Sequence, residues 1–214
     1  MPVGDAEAVA VRETPAGGRP GLGPVGSSAL PDEAFLAALA AIPGVGPATM
    51  RDELSVRSPE EAWAQLRGRA GAPTDLDALW ARHLDAGVLV VGRGHPDYSA
   101  ALRDDPEPPA VLFCRGDLGA LDRRRVGVVG TRRGSRYGLD VAPQLAARFG
   151  AASVAIVSGL ALGVDGAVHR GLLRTGGAPP IGVVGSGLDV VYPGGHRDLW
   201  RQVGDAGLLL SEMP

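Results

Sequence analysis

Residues 126–138 read Val-Gly-Val-Val-Gly-Thr-Arg-Arg-Gly-Ser-Arg-Tyr-Gly, an apolar run followed by glycines, hydroxyls and arginines. A similar apolar run and glycine-rich loop return at residues 154–165 and 181–189, and Leu208–Leu210 adds a fourth run. Segments predicted to be helical follow the three loops, at about residues 137–149, 164–174 and 196–203. Continuously apolar strands that alternate with helices are typical of a parallel sheet covered on both faces. The sequence therefore predicts a doubly wound α/β fold with a mainly parallel sheet.

The chain upstream of this region divides into three predicted segments. Residues 1–29 are rich in Gly, Pro and Ala, which predicts a disordered tail. Residues 30–87 predict a small all-helical module of the SAM or helix-hairpin-helix type, with helices from about Asp32, from Ala48, after an N-cap at Ser58, and over residues 74–86. Residues 88–121 hold short apolar runs and a proline-rich stretch and are interpreted as a connector. The α/β domain then occupies residues 122–214.

Composition limits the classes of function. The chain has 214 residues, of which 45% are hydrophobic and 21% charged, enough for one buried core and a small module. No apolar stretch is long enough to span a bilayer, so we expect a cytoplasmic protein without a membrane partner. A single cysteine, Cys114, excludes an internal disulfide and a cysteine-based metal site. Residues 109–214 carry 12 arginines against 8 acids, and seven of those arginines lie between Arg115 and Arg136.

The loops that follow the strands are the predicted binding surface. In open parallel sheets, ligands bind beyond the carboxyl ends of the strands. Glycines let the backbone approach a ligand, helix N-termini bind phosphate, and arginines bind phosphate oxygens in a bidentate manner. Neither mononucleotide fingerprint is complete, so the loops favour a nucleic-acid backbone. The predicted DNA-binding residues are Gly130, Thr131, Arg132, Arg133, Ser135, Arg136, Ser158, Gly159, Gly163, Gly185 and Gly187.

Four motifs carry a family resemblance. They are Gly130-Thr-Arg132 with Tyr137-Gly138, Ser158-Gly-Leu-Ala-x-Gly-Val-Asp-x-x-x-His-x-Gly171, Gly187-Leu-Asp-Val-Val-Tyr-Pro193, and Leu209-Leu-Ser-Glu-Met-Pro214. In order and spacing, these motifs resemble those of the DNA-processing protein A (DprA, or Smf) family. The resemblance is strong from Val126 to Pro214 and weaker in the helical module.

The resemblance implies a function. Such a protein has a Rossmann-like domain that binds single-stranded DNA in a basic pocket, forms a homodimer when full length, and loads the RecA recombinase during natural transformation (competence). It implies a DNA recombination mediator that protects incoming DNA, with no enzymatic activity, cofactor or metal. By the matching motif, Arg132 would contact phosphate. Leu162 departs from relatives that have a basic residue at that position, which is expected to weaken one phosphate contact.

A second departure concerns the C-terminus. The family pattern continues past Ser-Glu-x-Pro into a Phe-Pro-x-Arg-Asn-Arg-Ile motif, whereas this sequence ends at Pro214. We therefore expect either a fragment or a natural truncation that lacks further pocket arginines and dimerisation elements. An open sheet of this kind is expected to leave apolar surface and a strand edge uncovered.

Alternative functions follow from the same residues. A nucleotide-processing enzyme of the lysine-decarboxylase-like phosphoribohydrolase type has a similar sheet, but here Pro193-Gly-Gly195 continues as His-Arg-Asp without the glutamate of that group. A third interpretation is a helical interaction module on a fold that binds nothing. Asp165 and His169 have the spacing of an acid/base pair, although a first-turn acid and a locally hydrogen-bonded histidine are the favoured interpretation. The Pro43–Gly46 turn resembles a DNA-binding hairpin, yet its neighbourhood is acidic.

Overall fold

Four helices begin the structure, a computed structural model that describes residues 30–214. The predicted tail at residues 1–29 lies outside the described residues. Ser58 precedes the third helix in a capping box: its hydroxyl accepts from the Glu61 N–H at 3.3 Å, and the Glu61 carboxylate accepts from the Ser58 N–H at 2.9 Å. The fourth helix begins two residues later than predicted because Asp75 is its N-cap. The helices are α1 (Asp32–Ala40), α2 (Pro47–Val56), α3 (Pro59–Leu66) and α4 (Leu76–Asp85).

One six-stranded sheet follows. The strands are β1 (Leu89–Gly92), β2 (Val111–Gly116), β3 (Arg125–Gly127), β4 (Ala155–Ser158), β5 (Pro180–Val184) and β6 (Leu208–Ser211). Their order in the sheet is β1-β2-β6-β5-β4-β3. Strands β3 to β6 are mutually parallel, and β2 and β1 extend the sheet in antiparallel pairs beyond β6. The predicted class, a mixed α/β fold with a mainly parallel sheet, is confirmed.

The segment predicted as a connector, residues 88–121, contributes β1 and β2 to this sheet. Val90 pairs with Phe113, and Phe113 pairs with Ser211 of β6. Sequence reasoning missed this pairing because a long proline-rich excursion, rather than a tight turn, separates the two strands. The sheet therefore begins at Leu89, well before the predicted start of the α/β domain.

The three long helices after β3 lie on a single face of the sheet. These helices are α6 (Arg136–Ala151), α7 (Val164–Thr175) and α8 (Arg197–Ala206); a short helix α5 (Ala100–Arg103) precedes them. Register places Ile156, Val184 and Leu209 on that face. Strands β3 to β6 lie side by side in the same order as in the sequence, so their right-handed crossovers put α6, α7 and α8 on the same side of the sheet. Long helices were expected on both faces; within residues 30–214 they cover one face only, and on the other face Val183 remains 46% exposed.

The helical module shares its core with the sheet. Leu39 and Trp63 pack in one cluster with Phe113, Trp200 and Leu209. None of the helices described in residues 30–214 is both long and apolar enough to cross a membrane. The module is therefore fixed against the sheet by a continuous apolar interface.

One edge of the sheet collects most of the loops that matter for binding. The carboxyl ends of β3, β4, β5 and β6 lie together there, because these strands are parallel. Strand β1 runs in the same direction as β6, since each is antiparallel to β2. The segment after Gly92 therefore emerges at the same edge, which we call the carboxyl rim.

Candidate nucleic-acid interface

Three loops form the central part of the carboxyl rim: the first loop (residues 128–135), the second loop (159–163) and the third loop (185–193). The first two are packed together, since the Val164 N–H donates to the Thr131 carbonyl at 3.3 Å. Gly163 lies at this contact with φ +81°, and a Cβ there would overlap the Thr131 carbonyl oxygen. Glycine is required because both the backbone angle and the space exclude a side chain.

The Asp165 carboxylate ties the first and second loops to each other. Asp165 is in the first turn of α7 and is 6% exposed. One carboxylate oxygen accepts from the Gly130 N–H and the other from the Gly159 N–H, both at 3.2 Å. A negative group at a helix N-terminus is stabilised by the helix dipole. The Gly130 and Gly159 amides were predicted to bind phosphate, but both already donate to Asp165. The N-terminus of α7 is likewise occupied by this carboxylate.

In contrast, three unpaired arginines lie at the first loop, two within it and Arg136 directly after it, and we call them the first-loop arginines. Arg132, Arg133 and Arg136 are exposed, and none of them forms an ion pair or a side-chain hydrogen bond with any residue in the described part of the chain. The Ser135 hydroxyl caps α6 by accepting from the Gly138 N–H at 3.2 Å. The N–H groups at the first two positions of α6 have no partner inside the helix. Free guanidinium groups beside free amides form a site suited to phosphate.

The predicted site residues separate by burial. Gly159 and Gly163 are half-buried, and Ser158 and Gly187 are buried. Among residues 30–214 the Ser158 hydroxyl has no hydrogen-bond partner, and a Cβ on Gly187 would overlap the Pro214 carbonyl oxygen. Ser158 and Gly187 thus support the rim from beneath and do not line its surface. The exposed members of the predicted set are Gly130, Thr131, Arg132, Arg133, Ser135, Arg136 and Gly185.

The seven clustered arginines of the sequence do not form one patch. Arg123, Arg124 and Arg125 lie at the start of β3, whereas the three arginines from Arg132 to Arg136 follow its end. Arg115 pairs with Leu209 near the start of β6, also away from the rim. A strand separates the two groups, so only the first-loop arginines face the candidate site.

Exposed apolar side chains accompany these arginines. Tyr137 is 78% exposed, Tyr192 in the third loop is 65% exposed and Leu162 in the second loop is 48% exposed. Aromatic faces beside cationic groups are typical of surfaces that stack nucleic-acid bases. Tyr192 stands in the Gly187–Pro193 motif of the third loop, and Tyr137 stands in the motif that follows the first strand of the predicted sheet. Its position directly after Arg136, in the first turn of the helix, was the available signal.

Beneath the rim lies a buried polar layer. His169 Nε2 lies 3.4 Å from the Ser158 carbonyl oxygen, and His196 Nδ1 lies 2.9 Å from that of Leu160. Burial lowers the pKa of His169 to about 4, so the ring is neutral near pH 7. Both Asp165 oxygens accept from amides of the first and second loops, and His169 lies against the Ser158 carbonyl at the end of β4, so the two side chains have different partners. Among residues 30–214, no group of three His, Cys, Asp or Glu side chains is arranged to hold a metal.

Comparison with known proteins identifies the family. Residues 89–214 match the family model of DNA recombination-mediator protein A. The chain belongs to this family. The match starts at β1, in agreement with the sheet, and it confirms the DprA/Smf resemblance of the motifs.

Individual relatives agree with this assignment. Protein Smf of Synechocystis is 40% identical over 126 residues, which cover 56% of this chain and 31% of that protein. DNA processing protein DprA of Bacillus subtilis is 34% identical over 140 residues, 65% of this chain and 47% of that protein. The chain thus spans about a third to a half of the length of these relatives.

Two solved DprA structures have similar folds. The X-ray structure from Streptococcus pneumoniae matches with a TM-score of 0.62 over 86% of this chain and 68% of that one, at 24% identity. The structure from Helicobacter pylori, described for its unique single-stranded DNA binding mode, matches with a TM-score of 0.50 at 32% identity. It covers 54% of this chain and 52% of that one.

Proposed function

We propose that this chain binds single-stranded DNA along the carboxyl rim, with the first loop as the main phosphate contact. The carrying observation is that Arg132, Arg133 and Arg136 are exposed and without ion pairs in residues 30–214. Unpaired guanidinium groups lose no intramolecular partner when they bind phosphate, so their full charge contributes to affinity.

The rim favours a single strand over a duplex. Tyr137 and Tyr192 present exposed aromatic faces, which are useful only where bases are unstacked. Thr131 and Gly185 are exposed, and an added Cβ at Gly185 meets no atom within 4 Å, so a strand can approach the backbone at these positions. Contacts to phosphate and to base faces carry no sequence information, so binding is nearly independent of sequence and sensitive to salt.

The wider role follows from the family. We propose that the full-length protein is a cytoplasmic, homodimeric recombination mediator that protects single-stranded DNA taken up in natural transformation and loads the RecA recombinase onto it. The description of the matching family as a recombination mediator and the DNA binding reported for the H. pylori relative support this proposal. In this proposal the site binds DNA without catalysing a reaction and uses no cofactor.

The test is a titration of fluorescent homopolymer and mixed-sequence oligonucleotides with the 214-residue chain. Arg132→Ala should weaken binding of every sequence by about tenfold, the effect of losing one charge-assisted phosphate contact. Arg124→Ala is the matched control, since Arg124 is exposed at the opposite end of β3. Equal affinities of the two variants, or a loss confined to one base composition, would contradict the proposal.

A further inference from the structure

A cleft of about 590 Å³ lies between the helical module and the segment that follows β1. One wall is formed by the start of α1 and by α2, and the other by the Gly92–Pro96 loop and Arg103. The Gly92–Pro96 loop emerges at the carboxyl rim, five strand positions from β3. At an interstrand spacing of about 4.8 Å, the end of β1 lies about 24 Å from the end of β3 across the sheet. The cleft is therefore a separate feature at the same edge.

Cationic groups converge on this cleft. Arg93 is exposed and forms no ion pair with the residues from 30 to 214, and Arg103 likewise has no carboxylate partner there. The Arg103 guanidinium donates to the Tyr98 carbonyl at 3.3 Å and lies 5.8 Å from the centre of the Tyr98 ring, which fixes its position. Within the same described residues, the one ion-pair contact of Arg51 is at 3.7 Å to Glu107, whose side chain is 80% exposed. Three guanidinium groups thus retain free donors.

The remaining lining has a different character. Asp32 and Glu33 bring carboxylates to the same cleft, and Leu36, Leu54 and Ala110 supply apolar surface. Arg57, also in the lining, is already paired with Glu53. A bare phosphate ion would gain nothing from the carboxylates and the apolar surface. The lining suits a ligand with an anionic end, an apolar body and several hydrogen-bond donors.

We propose that this cleft binds a nucleotide. The phosphate contacts Arg93 and Arg103, and the hydrogen-bond donors of the sugar or base face Asp32 and Glu33. Arginine forks bind phosphate in a bidentate manner, and carboxylates accept from base N–H and sugar O–H groups. The volume of the cleft lies within the range of about 300 to 1,000 Å³ that is typical of small-molecule sites. The nucleotide is either a free molecule or one unit of a bound DNA strand. The second possibility rests on the proposed function, the binding of single-stranded DNA.

The experiment is a titration of the ¹⁵N-labelled 214-residue chain, followed by the amide signals of Arg93 and Gly94 in the cleft and of Arg132 in the first loop. The probes are thymidine monophosphate and an oligothymidylate of about 16 nucleotides, the upper end of common single-strand site sizes. Arg93→Ala is the test variant, because its side chain is exposed and unpaired within the described residues. Arg69→Ala is the control, an exposed arginine of the same module outside the cleft.

We expect saturable shifts of the Arg93 and Gly94 signals in the unsubstituted chain. The affinity read from the Gly94 signal should fall by about tenfold in Arg93→Ala and stay unchanged in Arg69→Ala. Shifts with the monophosphate assign the site to free nucleotides, and shifts with the oligonucleotide alone assign it to the strand; both support a nucleotide cleft. Unshifted cleft signals with both probes, or equal weakening by the two variants, overturn it. Failure of the proposed function has a different signature, an Arg132 signal that the oligonucleotide leaves unshifted.

Discussion

Replacing Asp165 by asparagine tests how the rim is held together. The carboxylate of this buried residue accepts from the Gly130 and Gly159 amides, one per oxygen. Asparagine keeps one acceptor and turns an NH₂ group toward the other amide, which is then left without an acceptor. A hydrogen bond to a charged group contributes about 1.5 to 3 kcal/mol, and a buried unsatisfied donor costs about 1 to 3 kcal/mol. We therefore expect Asp165→Asn to lower the free energy of unfolding by about 2 to 4 kcal/mol.

Urea denaturation measures this loss as a lower midpoint at an unchanged slope. Asp140→Asn is the control, an exposed acid on α6 whose carboxylate has no hydrogen-bond partner in the described residues, and its effect should stay within about 0.5 kcal/mol. DNA binding is a second readout. Removal of a negative charge would by itself strengthen phosphate binding, whereas loosening of the two loops weakens it. Stability equal to that of Asp140→Asn, or tighter DNA binding, would refute the role of Asp165 as a tie.

Three further predictions concern buried or constrained positions. The pKa of His169 is about 4 in the folded chain, against 6.5 for an ordinary histidine, so between pH 6.5 and pH 4 the ring is protonated in the unfolded chain only. The free energy of unfolding should therefore fall by up to about 3 kcal/mol as the pH falls from 6.5 to 4. In urea titrations across this range, His169→Gln should reduce this dependence on pH. Gly163→Ala should cost more than about 2 kcal/mol because its Cβ meets Thr131 at a positive φ, while Gly94→Ala, with open space around it, should change the urea midpoint little. The buried Cys114 thiol, its pKa raised to about 12 by burial, should react with a thiol reagent only after unfolding; fast labelling of the native chain would contradict its burial.

The strands, the long helices and their order were predictable from local patterns. Runs such as Ile181–Val184 and loops that end in a helix cap need no distant partner to be recognised. The pairing of β1 with β2 was not predictable, because it joins segments far apart in sequence. The placement of α6, α7 and α8 on one face follows from the order of strands β3 to β6 in the sheet. Local sequence patterns do not reveal which strands are neighbours.

The candidate site was predictable in its loops and not in its contacts. The first loop and its arginines lie at the rim as expected. The tie between Asp165 and the amides of Gly130 and Gly159 spans two loops, so a single helix-start pattern does not reveal it. Burial of Ser158 and Gly187 depends on side chains and a C-terminal carbonyl that only the folded chain brings near. The nucleotide cleft joins the helical module to the segment after β1, a juxtaposition that exists only in three dimensions.

The salt dependence of single-strand binding by two double variants tests the central claim most directly. For single strands, the slope of log K against log salt is about −0.7 for each phosphate neutralised. In the double variant with Arg132→Ala and Arg133→Ala, the slope should therefore become less negative by about 1.4. The double variant with Arg123→Ala and Arg124→Ala removes the same charge from the other end of β3 and should keep the original slope. Equal slopes for the two double variants would show that the first loop is not where the strand binds.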